Sequence, residues 1–371
     1  MRKEPPFKHG TPQKTAVVLI NLGTPDNPDT PSLRRYLGQF LSDPRVVEIP
    51  RLIWWLILNL IILRIRPKKS AAKYRTIWTE EGSPLLAIGK RQVAALEAGF
   101  KARRWGVRVE LAMRYGNPSV ASVMDKLRQE AYDRVLILPL YPQYAAATTA
   151  SSFDAVFDWA KPVRNVPELR LIKHYHDHPA YIHALAEHVR RQWRTIGTPD
   201  FARGDILLMS FHGVPEKTLL DGDPYHCECH KTARLVAEEL GLEKAHYRVT
   251  FQSRFGKAKW LGPYTDKTLQ SLGQLGTKRI DVMCPGFMAD CLETLEEIND
   301  EGRETFQHAG GGEFNYLPCL NDSELSGAML TEIAGQHLQG WPVDLGYEES
   351  AAAELSASRA RALEMGAKEI S

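Results

Sequence analysis

AVVLINLGTP (Ala16–Pro25) and DILLMSFHGVP (Asp205–Pro215) are two copies of one device: an apolar run that stops at a turn built from glycine and proline. Runs that are apolar at nearly every position are strands covered on both faces, as in a parallel sheet. Working outward, RVLILPLYPQYAAATTASS (Arg134–Ser152) lines up with RIDVMCPGFMADCLETLEEI (Arg279–Ile298). The second strand of each half ends in a polar turn, MRYGNP and FQSRFG. The chain therefore reads as an internal repeat of strand–helix units. The strands fall at Ala16–Leu22, Val107–Tyr115, Arg134–Tyr141 and Leu169–Tyr175, then at Asp205–His212, Tyr247–Ser253, Arg279–Pro285 and Glu313–Leu320. Helical patterns lie between them. Strand–helix alternation means parallel sheets with right-handed crossovers. The expected fold is α/β, with two similar Rossmann-like domains, each a four-stranded parallel sheet flanked by helices around a shared cleft. Residues 14–195 form the first, 196–340 the second, and 341–371 a loosely attached helix or disordered tail.

The 371 residues suffice for two such domains, and a net charge of +2 is too weak to suggest nucleic acid as a partner. Five cysteines, an odd number without framework spacing, suit a reducing compartment. The polar opening MRKEPPFKHGTPQK contains no apolar signal core, so a cytoplasmic location is expected. NLGTP has a single glycine, no Walker A motif occurs, and nucleotide enzymes are set aside.

The longest apolar run, IWWLILNLIIL (Ile53–Leu63), is too short for the roughly 20 residues a membrane span needs. A buried helix is the plainer reading. The two tryptophans, the lack of a polar face and the basic hem RIRPKK (Arg64–Lys69) favour a segment exposed at a membrane surface.

The chemistry concentrates at two strand ends. His212 sits where one strand stops, and the turn after Cys284 leads into a helix with Asp290, Glu293, Glu297 and Glu301. The last three are spaced i, i+4, i+8 and would line one side of a helix, although a solvated acidic face has the same pattern. A histidine and lined carboxylates can handle protons and a divalent metal. Two further segments, HCECH (His226–His230, with Cys227 and Cys229) and HYHDH (His174–His178), contain metal-ligand types without standard spacing. They read more plainly as a polar helix start and a solvated loop. The small residues of Tyr141–Ala155, with Arg114, Tyr115 and Trp260, outline a cleft able to take a flat apolar molecule with acidic side chains.

In order, NLGTP, MRYGNP, LYPQYAAATTASS, SFHGVP, FQSRFG with WLGPYTD, and MCPGFMADCLETLEEI resemble the motifs of ferrochelatases, over roughly residues 14–336. The chain looks like a bacterial ferrochelatase of the proteobacterial kind. The resemblance implies two Rossmann-like domains and insertion of ferrous iron into protoporphyrin IX, the last step of haem biosynthesis. It matches His212 and Glu293 to the catalytic and metal-handling pair, and Glu297 and Glu301, with Asp290 before them, to a proton or metal path. Leu22, Ser83, Arg114, Tyr115, Tyr141, Trp260 and Phe287 fall at porphyrin-lining positions. Ile53–Leu63 resembles the apolar lip that meets membrane, and an upstream haem-pathway oxidase is an implied partner. Cys291 stands where other members carry a histidine. The resemblance implies Fe²⁺ as substrate; no cysteine set follows Cys319, so no [2Fe-2S] cluster or other tightly bound cofactor is expected. The competing readings are a chelatase for coproporphyrin or cobalt, a non-catalytic tetrapyrrole-binding protein, and a two-lobed solute-binding protein.

Overall fold

The computed structural model describes residues 1–256 and 258–369. All eight expected strands form. The first sheet contains β1 (Thr15–Thr24), β2 (Arg108–Gly116), β3 (Arg134–Pro139) and β4 (Glu168–Leu171) in the order β2-β1-β3-β4. The second contains β5 (Ile206–His212), β6 (Tyr247–Gln252), β7 (Arg279–Met283) and β8 (Glu313–Tyr316) in the order β6-β5-β7-β8. Every neighbouring pair is parallel, so the repeat seen in the sequence is a repeat of topology. β4 stops earlier than expected. Beyond it Ile172 N–H still donates to Ile137 O, and the chain then turns away.

The strands alternate between two cores, as a period of two requires. Val17 and Leu19 of β1, and Leu207 and Met209 of β5, face inward to one continuous core. Its filling comes from four helices: Pro84–Ala102, Pro179–Ile196, Tyr225–Leu240 and Glu324–His337. Ala16, Val18 and Ile20 face outward under Val120–Gln129 and Ser151–Ala160. Ile206 and Leu208 face outward under Thr265–Gln274 and Arg303–His308. The layers thus run helix, sheet, helix, sheet, helix, and the two halves share the middle one.

The last helix of the second half lies on the first. Helix Glu324–His337 packs against Pro84–Ala102, where Gly99 meets Thr331 and Gly327 meets Ala95. A Cβ on Gly99 would stand 2.0 Å from Thr331 Oγ1, so only glycine permits this approach. The tail follows the same route. Trp341 is buried, its indole N–H donates to Glu168 Oε1 at 2.8 Å, and the Arg170 guanidinium lies 4.2 Å from its ring centroid. The tail proper is a mostly exposed helix, Tyr347–Glu364.

Between β1 and Pro84 the chain builds a helical insertion that the strand pattern did not announce. Helix Thr30–Ser42, capped by the Asp29 carboxylate on Ser32 N–H, packs on helix Leu63–Ile77. Helix Arg51–Ile57 and the wider turn Leu58–Ile62 join them. Trp54 and Leu58 point inward beside Leu33, Tyr36 and Tyr74. Leu52, Ile53, Trp55, Leu56, Leu60, Ile61 and Ile65 are all exposed, Leu52 by 75% and Trp55 by 58%. Among the described residues no helix is long and apolar enough to cross a membrane.

Replacing Gly99 by leucine is expected to force the two helices apart and destabilise the whole protein by about 3 kcal/mol or more. Thermal unfolding should show a lower single transition. An unchanged midpoint would mean that the helix contact is not structural.

Candidate active site

Both sheets place a topological switch point between their two central strands, β1 and β3 in the first and β5 and β7 in the second. The carboxyl ends of those strands are where open α/β sheets hold ligands. His212 ends β5, and the turn after β7 delivers Glu293. His212 Nδ1 donates to Gly213 O at 2.6 Å. A carbonyl can only accept, so Nδ1 carries a proton and Nε2 is left to act. A Cβ at Gly213 would lie 2.7 Å from Gln252 O and 3.2 Å from Trp260 Cε3, which explains the glycine.

Gln252, at the end of β6, binds the two switch-point turns together. Its carbonyl accepts from Gly213 N–H at 2.7 Å, and its side-chain Nε2 donates to Glu293 O at 2.7 Å. Its Oε1 accepts from Ser210 Oγ at 2.8 Å. Ser253 follows with φ of +64°, a left-handed conformation that is uncommon outside glycine. In that pose its backbone N–H and its hydroxyl both donate to Glu297, at 2.7 and 2.5 Å. Burial pushes the Glu297 carboxyl up; the Ser253 bonds and His212 draw it back, while Glu293 adds to the rise. Glu297 therefore lies within electrostatic reach of both His212 and Glu293. Glu293 also reaches the first half. Burial pushes up the phenols of Tyr36 and Tyr74, and the charge of Glu293 contributes to both shifts.

The acidic segment is not one regular helix carrying Asp290, Glu293, Glu297 and Glu301. One short turn, Leu292–Thr294, passes into a π-helix, Leu295–Gly302. Its i→i+5 repeat stacks Glu301 under Glu296 in place of Glu297. Glu296 and Glu301 share one cation, Lys73 Nζ, at 2.8 Å each, while Glu297 turns inward to Ser253. The i, i+4, i+8 line is thus replaced by an inner acid, Glu297, and an outer pair, Glu296 and Glu301. Asp290 leaves the line altogether. Its carboxylate accepts from Thr294 Oγ1, Tyr316 OH and Asn321 Nδ2 at 3.0, 2.5 and 2.7 Å, and it is 6% exposed. Cys291 is buried, and burial pushes its thiol well up.

The first half contributes a packed floor. Arg114 Nη2, Tyr115 OH and Ser151 Oγ all converge on Asp43 Oδ2, at 2.6, 2.8 and 2.6 Å. Arg114 and Tyr115, read from the sequence as ligand-lining, are committed to this carboxylate, and Tyr115 is only 2% exposed. Ser83 is buried and accepts from Thr24 Oγ1 at 2.7 Å. Leu22 packs partly buried beside Tyr36 and Tyr115, and Phe287 lies 6.5 Å from the His212 ring. The Tyr141 hydroxyl and the Trp260 indole N–H are buried polar atoms without a protein partner. Such groups are rare in packed interiors and suit a surface that meets a ligand.

Burial alone would raise the Asp43 carboxyl; the bonds from Ser151, Arg45 N–H and Tyr115, with the Arg114 charge, overcome it and hold it below its ordinary 3.8. A depressed carboxyl contributes stability above its unfolded pKa and loses it as pH falls through the folded one. Asp43→Asn should therefore cost about 3 kcal/mol near pH 7. In urea unfolding the gap from wild type should narrow below about pH 4. A gap independent of pH would contradict the pairing.

The ferrochelatase family model matches residues 14–338. A ferrochelatase from Polaromonas sp. (strain JS666 / ATCC BAA-500) is 58% identical over 368 residues, covering 98% of each chain. One from Herminiimonas arsenicoxydans is 58% identical over 342 residues, 92% of each chain. Among solved structures, SirB from Bacillus subtilis with Fe³⁺ superposes with a TM-score of 0.52 at 12% identity, covering 89% of this chain and 99% of its own. The multi-domain DR2241 from Deinococcus radiodurans, described as similar to chelatases, gives 0.51 at 13%, covering 92% of this chain and 60% of its own. These two likenesses are of fold alone. With the family model spanning most of the chain and full-length relatives above half identity, the chain belongs to the ferrochelatase family.

Proposed function

We propose that this chain inserts ferrous iron into protoporphyrin IX, giving protohaem and releasing two protons, as the final step of haem biosynthesis. One observation carries the reading beyond family membership. His212, with Nδ1 fixed on Gly213 O, stands in electrostatic reach of the partly buried Glu297, which Glu293 also reaches. Insertion must take two protons from pyrrole nitrogens and strip water from the ion. Nε2 of His212 accepts a pyrrole proton. Glu293, in electrostatic reach of Glu297, shares the proton or the entering ion. Glu297, held by two bonds from Ser253, is the inner acceptor, and Glu296 and Glu301 with Lys73 lead charge outward. Leu22, Ser83, Tyr141, Trp260 and Phe287 line the macrocycle. Tyr141 OH and Trp260 N–H have unused donors for it. Binding energy spread over the ring faces deforms it and exposes the nitrogen lone pairs.

The exposed face of Leu52–Ile65 docks on lipid. Its apolar side chains and the Arg64–Lys69 hem are the composition of an interfacial segment. A greasy substrate from an upstream haem-pathway oxidase would reach the site along that surface. The five cysteines are free thiols, which suits the reducing cytoplasm. An apolar lip favours a substrate with few carboxylates, hence protoporphyrin over coproporphyrin.

Anaerobic incubation with Fe²⁺ and each porphyrin, followed in the Soret and visible bands, tests the activity and the preference. Faster turnover on coproporphyrin would overturn the substrate assignment. In His212→Ala, kcat should fall by at least about 100-fold while quenching of porphyrin fluorescence still reports binding. Near-normal turnover would remove His212 from the mechanism. For the lip, Trp55→Glu with Leu60→Glu should weaken sedimentation with phosphatidylglycerol-containing vesicles about tenfold or more without moving the unfolding midpoint. Equal sedimentation would sink the docking assignment.

A further inference from the structure

HYHDH and HCECH, unremarkable when read apart, meet in the fold. His174 and His176 lie on the segment between β4 and helix Pro179–Ile196, and Glu228 lies in the first turn of helix Tyr225–Leu240. One segment belongs to the first half and the other to the second. His174 Nδ1 is 2.6 Å from Glu228 Oε1, and His176 Nδ1 is 3.4 Å from Glu228 Oε2. One donor atom from each of the three residues falls within 4.8 Å of the others. The backbone N–H of Tyr144 donates to Glu228 Oε2 at 2.7 Å and fixes the carboxylate.

A second observation points to a ligand. His176 is 5% exposed, yet its Nδ1 is buried without a hydrogen-bond partner, facing Glu228. A histidine buried for packing alone ordinarily satisfies its ring nitrogens. Glu228 is 6% exposed, and the nearby cation Lys231 pairs with Asp177. Cys227 is exposed and Cys229 is fully buried, and neither joins the cluster.

We propose that His174, His176 and Glu228 form a binding site for a first-row divalent cation, separate from the catalytic site and lying across the seam between the halves. Two imidazole nitrogens and one carboxylate oxygen suit zinc or ferrous iron. Magnesium and calcium prefer all-oxygen sets, and copper(I) prefers sulfur. Three protein ligands leave a position open to water, so the ion is held without being enclosed. The site shares no residue with His212, Glu293 or Glu297. Bound metal would join the segment after β4, the Tyr144 loop and the second-half helix in one clamp.

The test uses the full chain carrying His212→Ala, which removes the histidine of the catalytic site, after stripping with a chelator. Equilibrium dialysis against Zn²⁺ should give one equivalent at free zinc on the order of micromolar. Adding His174→Ala, at an exposed position, should weaken binding about tenfold or more, and Glu228→Gln should do the same. Zn²⁺ should raise the unfolding midpoint of the His212→Ala protein and leave that of the His174→Ala double variant unmoved. Co²⁺ in place of Zn²⁺ should give d–d bands without thiolate charge transfer. Fe²⁺ under anaerobic conditions, competed against Zn²⁺, ranks the two ions. Absence of saturable binding, binding unaffected by His174→Ala, or a thiolate band would overturn the proposal and leave a hydrogen-bonded brace in its place.

Discussion

Parallel pairing in the order β2-β1-β3-β4, repeated as β6-β5-β7-β8, is the constraint from which the rest follows. A parallel strand must send its chain back along the sheet before the next begins, so every carboxyl end opens on the same edge. Where the direction of winding reverses, adjacent loops part and leave room. Each half has one such point. In the second half it falls between the strand that ends in His212 and the strand that precedes Glu293. The proposed chemistry is therefore placed by topology, and the side chains only have to be held there.

Holding them falls to residues without obvious chemistry. Gln252 uses its backbone oxygen on one turn and its amide on the other. Ser253 takes a left-handed backbone so that two donors meet one carboxylate. Asp43 gathers an arginine, a tyrosine and a serine under the first half. Such preorganisation lets a site act without rearranging its surroundings.

The fold was legible because it is written locally. β1 and β5 are buried on both faces, so their apolar runs could hardly be anything else, and the paired turns after them announced the repeat. The strand-end positions of His212 and of the acidic segment were legible for the same reason. The helix Thr30–Ser42 was not read, although the Asp29 cap and the proline after it are helix-start signals. The π-helix was not read either. Its wider turn is a property of backbone bonding, and the i, i+4, i+8 spacing of Glu293, Glu297 and Glu301 suits an ordinary helix equally well. Asp43 and Ser151 lie 108 residues apart, and Ser253 and Glu297 lie 44 apart, so their partnership exists only once the sheets have formed. Arg114 and Tyr115 sit at the expected strand end, yet the carboxylate that claims them comes from a segment the sequence did not connect to them. HYHDH and HCECH show the same limit: neither spelled a site, because each holds only part of it.

The middle layer of four helices has a consequence for the molecule as a whole. The boundary near residue 196 divides the sequence into recognisable copies, but it does not divide the protein into separable parts. A fragment ending there would lack Glu324–His337 and expose the oily side of Pro84–Ala102 to water. The repeated topology closes over one shared core, and neither copy retains a complete interior of its own.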